Sequence, residues 1–246
     1  MPSDFLAALR TLIAAVVVSL YILVAGPPFL IWTVVSGNVR PLYGVANVGV
    51  RLAFALAGIR LRVLGREHIR PGVAAVYASN HISNIDPPAL FTALSSLHPR
   101  LRTVYKTELR RLPVLVWAFD QAGFVPIQRG NRGQSLPAID RATSALAAGN
   151  AFFMFPEGTR SRTGQLLPFK KGGFLMAIGA QVPVVPIVVS GGRDALRKGS
   201  AIIRPVTVTI DVGAPIPTVG LTSTDRDALV GRVRAAMDAR LPREPL

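Results

Sequence analysis

Two short polar strings carry the residue types that could do chemistry. One is Asn80-His81-Ile82-Ser83-Asn84-Ile85-Asp86; the other, about seventy residues on, is Phe155-Pro156-Glu157-Gly158-Thr159-Arg160-Ser161. The first offers a histidine with a nearby carboxylate. A carboxylate bonded to one ring nitrogen sets the tautomer and stabilises the imidazolium, so the other nitrogen can take a proton from a hydroxyl as its oxygen attacks. The second offers an acid, a glycine that lets backbone approach a ligand, and an arginine whose planar fork pairs with phosphate. A base beside an anion clamp suits acyl transfer to a phosphorylated alcohol.

The spacing of His81 and Asp86 constrains the local fold. On a continuous helix five residues span ~140° about the axis, so the two would not face each other. A turn must separate them. Asp86 precedes Pro87, which disfavours the α region at Asp86 and suits the first position of a helix. Asp86 is therefore also a candidate helix cap, a task compatible with orienting His81. His68 and His98 stand in unremarkable polar surroundings. Ser83 is no nucleophile candidate, because the chain has no Gly-x-Ser-x-Gly elbow.

Other cations accompany the second string. Lys106 follows an apolar run, Arg129 ends Gly123-Phe124-Val125-Pro126-Ile127-Gln128-Arg129, and Lys170-Lys171 precedes Gly172-Gly173. Each alone reads as a solvated surface charge. Lys106, Arg129 and Arg160 closely follow candidate strands and would gather at one edge of a sheet. Val182-Pro183-Val184-Val185-Pro186-Ile187 reads as a core strand with proline at its ends, or as the wall of an acyl-chain groove.

Composition narrows the partners. The 246 residues suit one α/β domain, half of them are hydrophobic, and the formal charge is +15. So basic a chain meets an anionic partner. Its cations are scattered among apolar segments, which fits a lipid surface or phosphorylated substrate. There is no aromatic RNA-binding string and no zinc-finger spacing, which argues against nucleic acid. With no cysteine, thiolate catalysis, thiolate metal sites and disulfides are excluded.

No charged residue lies between Arg10 and Arg40, and Thr11 to Val35 is almost wholly apolar. As helix it would cross a ~30 Å hydrocarbon core. Gly26-Pro27-Pro28 predicts a kink or break. Leu42 to Ile59, with Arg51 inside, reads as an amphipathic interfacial helix. A hairpin embedded in one leaflet, a kinked transmembrane helix and a cleaved signal peptide all remain open.

From Arg60 onward strand-length and helix-length patterns alternate. Candidate strands are Leu61–Leu64, Ala74–Ala78, Arg102–Tyr105, Phe124–Ile127, Ala151–Phe155, Val184–Val189 and Val206–Val212. Candidate helices are Pro87–Leu97, Val114–Gln121, Ser135–Ala148 (stopped by Gly149), Gly172–Gly179 and Asp225–Arg240, the last with Thr224 as N-cap. Several strands are apolar on both faces, as in a parallel sheet between helix layers. The prediction is an α/β fold, with residues 1–59 as membrane-associating helices and 60–246 as a catalytic domain.

Over roughly Gly58 to Val212 the chain resembles the glycerolipid acyltransferase family, most closely its bacterial 1-acylglycerol-3-phosphate members. Asn80 to Asp86 matches the first motif of that family and Phe155 to Ser161 the third; Gly123 to Arg129 and Val182 to Ile187 resemble the second and fourth. The resemblance implies a mixed, largely parallel sheet flanked by helices, with an apolar N-terminal helical anchor. It implies His81 as general base with Asp86 as its partner. It implies Glu157, Gly158, Thr159 and Arg160, helped by Arg129 and Lys106, as the phosphate-binding set. The implied reaction passes a fatty acyl group from acyl-CoA or acyl carrier protein to the sn-2 hydroxyl of a lysophospholipid, yielding phosphatidic acid at the cytoplasmic face of the inner membrane, with no cofactor and no metal. Gln128 stands where many relatives are acidic, which leaves room for another acceptor such as a lyso-ornithine lipid. A non-catalytic lipid-binding protein of the same fold is the further alternative.

Overall fold

The structure, a computed structural model, describes residues 2–111, 113–128, 132–197 and 199–242. Two long helices come first, α1 (Pro2–Ser36) and α2 (Arg40–Ala57). Strands β1 (Ile59–Leu64) and β2 (Val76–Ser79) follow, then α3 (Asp86–Ala93), β3 (Leu101–Lys106), α4 (Pro113–Gln121), β4 (Val125–Ile127), α5 (Arg132–Ala147) and β5 (Ala151–Met154). The chain closes with α6 (Gly172–Gly179), β6 (Val184–Ser190), the short α7 (Gly192–Ala195), β7 (Val206–Val212) and α8 (Arg226–Asp238).

The strands form one seven-stranded sheet in the order β1-β7-β6-β2-β5-β3-β4. Neighbours from β6 to β4 run parallel; β7 is antiparallel to β6 and parallel to β1. The C-terminal ends of β6, β2, β5, β3 and β4 therefore share one edge with the starts of β7 and β1.

Period-two alternation divides the core. Tyr77, Phe153, Val185 and Val189 face a layer holding α2 and α3, where Phe54, Ala57 and Leu90 pack. Val76, Phe152, Met154 and Val184 face the opposite layer, packing on Leu146 of α5, Phe174 of α6 and Val233 of α8. Both faces of the central strands are covered, so those strands read as unbroken apolar runs. Pro186 lies inside β6 rather than at an end. The β6–β7 ladder begins only at Ile187, and Pro186 contributes its carbonyl to the Gly213 amide at 2.8 Å, so no bond to β7 is lost.

Three expectations are corrected. The break expected at Pro27 and Pro28 does not occur, since α1 continues as helix through both; proline's fixed φ is itself helical, although backbone bonds are lost. Thr222, not Thr224, forms a capping box with Asp225 ahead of α8. His98 packs against the rings of Tyr43 and Phe91, at 4.9 and 4.3 Å, and burial pushes its imidazole from 6.5 down to about 4.

Helix α1 lies along α2. The Tyr21 hydroxyl donates to the Val45 carbonyl at 2.9 Å, and near the other end Thr11 Oγ1 accepts from the Ile203 amide at 2.9 Å. Helix α2 is fastened to the sheet at both ends. The buried Tyr43 hydroxyl donates to the Leu101 carbonyl, and Gly58 leads straight into β1. The outer side of α1 is apolar and exposed, with Leu12, Leu20, Leu23, Ile31 and Trp32 all more than half exposed. By length and composition α1 is apolar enough over Asp4–Ser36 to enter a membrane, with a mean hydropathy of 2.3.

Candidate active site

β2 delivers His81 to the shared edge, and backbone bonds fix it there. Asn80 is buried and its amide makes a two-way clamp on β6: Nδ2 donates to the Val189 carbonyl at 3.0 Å and Oδ1 accepts from the Val189 amide at 2.7 Å. His81 N–H donates to Glu157 Oε1 at 2.8 Å, and the His81 carbonyl accepts from Ser161 N–H at 2.7 Å. The two polar strings are thus hydrogen-bonded to each other across the gap between β2 and β5.

The imidazole is held on two sides. Nδ1 lies 2.9 Å from Asp86 Oδ2, and the ring stacks on Phe155 with centroids 4.2 Å apart. Asp86 is fully buried, and the same Oδ2 accepts from Ile82 N–H and Ser83 N–H, each at 2.7 Å. With Oδ2 already accepting two amides, the bond to the ring is made with Nδ1–H as donor, which leaves the lone pair of Nε2 directed away from the carboxylate. The carboxylate was expected to cap the following helix. Instead α3 has no side-chain cap bond, and Asp86 reaches back into the loop that carries His81.

Glu157 was expected among the phosphate contacts, and its geometry gives it another task. It is 3% exposed, and its second oxygen accepts from Leu167 N–H at 3.0 Å. Both oxygens brace backbone. Burial raises its carboxyl above the ordinary 4.5, opposed by those two amides. Gly158 has φ +68, and a Cβ there would stand 2.8 Å from Lys170 Cε, so the loop accepts only glycine without displacing the lysine. Thr159 is exposed and Arg160 half-buried, with no ion-pair partner among the described residues. Lys106 ends β3, the strand beyond β5, and is exposed. With strands ~4.8 Å apart, Lys106 stands ~10 Å along the edge from the His81 strand. Arg129 lies outside the described residues.

Sequence reasoning missed the turn after β6. Gly192 packs so tightly that a Cβ there would stand 2.7 Å from Asp86 Oδ1 and 3.2 Å from Ser83 Cβ. Ser83 Oγ donates to the Leu196 carbonyl at 3.1 Å, and Arg193 Nη1 donates to the Thr163 carbonyl. This segment closes the third side of the site. The available signal was Gly191-Gly192 directly after an apolar strand.

A histidine bonded to a buried carboxylate at the strand ends, beside cations without ion-pair partners among the described residues, has the geometry that acid–base chemistry needs. Comparisons with known proteins give the family. The acyltransferase family model matches residues 60–190. The human 1-acyl-sn-glycerol-3-phosphate acyltransferase alpha is 36% identical over 74% of this chain and 64% of its own length. The 1-acyl-sn-glycerol-3-phosphate acyltransferase of Limnanthes douglasii is 32% identical over 86% of this chain and 73% of its own. The solved structure of the 1-acyl-sn-glycerophosphate (LPA) acyltransferase PlsC from Thermotoga maritima has the same fold, with a TM-score of 0.77 at 24% identity over 99% of this chain and 98% of that one. The chain belongs to the acyltransferase family. It spans a little under two thirds of the length of the human relative.

Proposed function

We propose that this protein transfers a fatty acyl group from a thioester, acyl-CoA or acyl carrier protein, to the sn-2 hydroxyl of 1-acylglycerol-3-phosphate, giving phosphatidic acid. The observation that carries the reading is the 2.9 Å bond between His81 Nδ1 and the buried Asp86, which directs Nε2 outward as a base. Relatives named for this acceptor support the choice of lysophosphatidate.

In this mechanism Nε2 of His81 takes the hydroxyl proton as the oxygen attacks the thioester carbonyl. The tetrahedral intermediate collapses with loss of the C–S bond, and the imidazolium returns its proton to the departing thiolate. Asp86 stabilises the imidazolium between these steps. Arg160, Lys106 and Arg129 bind the acceptor's phosphate from the neighbouring strands, with Thr159 and the Gly158 backbone alongside. Glu157 is a positioning residue that holds the His81 backbone.

Residues 1–59 serve as the membrane-associating part and 60–246 as the catalytic part, although α2 also packs into the core. Because α2 is fastened to the sheet at both ends and α1 lies along it, α1 enters the leaflet lengthwise rather than crossing it. The membrane is the inner membrane, with the catalytic edge on the cytoplasmic side.

The test is ester formation with a panel of lysolipids, lysophosphatidate and a lyso-ornithine lipid among them. Lysophosphatidate is expected to be preferred, and Arg160→Ala to raise its KM at least tenfold. Preference for an acceptor without a phosphate, or an unchanged KM in Arg160→Ala, would reject the assigned acceptor.

A further inference from the structure

Beyond the open edge of β4 lie two adjoining cavities of about 520 and 390 Å³, which share Arg110, Pro126 and Arg141 as walls. The smaller opens at Thr107 and Gln128, the residues just past the ends of β3 and β4, and so at the catalytic edge. The larger runs back along the edge strand to Arg102 and Ser144. Together they make a groove with the volume of a small-molecule site, lined by cations.

Three guanidinium groups line it against one carboxylate, Asp120, which pairs with Arg110 at 3.3 Å. Arg102 and Arg141 have no ion-pair partner among the described residues, and Arg102 Nε is buried without a hydrogen-bond partner. Three guanidinium groups facing a single carboxylate leave an excess of cation that favours phosphates, which guanidinium binds through paired N–H donors. Arg141 and Ser144 belong to α5, in the layer opposite α2 and α3.

We propose that this groove binds the phosphate groups of coenzyme A, so that the acyl donor is a coenzyme A thioester. The proposal rests on the acyltransferase reading of the His81 site. The thioester meets His81 near the middle of the sheet edge, the pantetheine arm extends past β5 and β3, and the nucleotide phosphates rest on Arg102, Arg110 and Arg141. The lysophosphatidate phosphate keeps Arg160 and Lys106, nearer the base.

The test uses the full-length protein in detergent. Binding of adenosine 3′,5′-bisphosphate, the phosphate-bearing end of coenzyme A, is measured by calorimetry without acceptor, and inorganic phosphate is titrated in parallel. Wild type is expected to bind the bisphosphate at least tenfold more tightly than phosphate. Arg141→Gln, on an exposed side chain, is expected to weaken that binding and raise the KM for acyl-CoA by about tenfold each, with kcat and the lysophosphatidate KM held. Arg102→Gln is expected to act likewise, its folding checked by its melting temperature. Binding without any acyl transfer would support the groove and reject the reaction. No bisphosphate binding, equal binding of phosphate, or unchanged acyl-CoA parameters in Arg141→Gln would overturn the proposal. So would an effect confined to acyl carrier protein, which would make the groove a docking surface for an acidic protein.

Discussion

Asp86→Asn separates charge from shape at the base. One oxygen of Asp86 accepts all three bonds to His81 Nδ1, Ile82 N–H and Ser83 N–H, while the other is buried and unpartnered. An asparagine can present its carbonyl oxygen to the same three donors, with its NH₂ on the unpartnered side at a cost of about 1–3 kcal/mol in stability. The loop then keeps its frame and loses its charge. From the 2.9 Å contact, the centres of charge of imidazolium and carboxylate are about 4 Å apart. At an effective dielectric of ~20 their attraction is about 4 kcal/mol. Each ~1.4 kcal/mol of barrier is tenfold in rate, so kcat should fall about a thousandfold. The KM for lysophosphatidate should stay within a few-fold, because Asp86 touches no phosphate. The assay is steady-state ester formation with purified enzyme, beside a thermal melt to show that the fold persists. A folded variant within tenfold of wild-type kcat would refute the electrostatic role.

Three further outcomes follow from the same geometry. Gly192→Ala puts a methyl 2.7 Å from Asp86 Oδ1, so kcat should drop at least tenfold while the protein still folds; unaltered steady-state rates would count against close packing behind Asp86. Glu157→Gln turns an NH₂ toward one of two backbone amides, at a cost of about 1–3 kcal/mol. Its melting temperature should fall by several degrees and its kcat more than its lysophosphatidate affinity, and an effect on affinity alone would restore Glu157 to the phosphate contacts. His98 is held neutral, with its folded-state value depressed from 6.5 to about 4. Its contribution is complete above about pH 6.5 and is lost as pH falls toward 4, since protonation favours the unfolded chain. Melting temperatures of His98→Gln across that window should therefore be flatter than those of wild type, and parallel curves would refute the assignment.

Much of this architecture is written in short-range patterns. The seven strands fall where apolar runs stand between turn residues, because burial on both faces keeps β2, β5 and β6 apolar until their last residues, Ser79 in β2 and Ser190 in β6. Helix α6 is found at its predicted bounds, and Gly149 ends α5 with φ +84. The His81–Asp86 pairing was legible in the two residues' spacing, though not through Pro87: Asp86, expected to avoid the α region, is itself the first residue of α3, and the turn lies before it. What stayed hidden depends on long-range contact. Nothing near Glu157 in sequence says that its carboxylate will be buried under the His81 amide, 76 residues away. Gly192 looks like any glycine after a strand until β6 comes to lie beside β2 and brings it against Asp86. His98 reads as polar in its own segment, and its aromatic surroundings come from folding, when Phe91 of α3 and Tyr43 of α2 pack against it. The continuation of α1 as helix through Pro27 and Pro28 was missed for a local reason: φ near −65° suits a helix, so lost donors alone need not end it.

The central claim is that His81 deprotonates an acceptor hydroxyl for direct attack on a thioester. The most direct measurement is thiol release from acyl-CoA by the solubilised protein, with and without lysophosphatidate, for wild type and His81→Ala. The account predicts release from wild type only when the acceptor is present, and a loss of at least a thousandfold in His81→Ala with the melting temperature preserved. Release without acceptor would make the protein a thioesterase, and near-normal transfer by His81→Ala would contradict the mechanism outright.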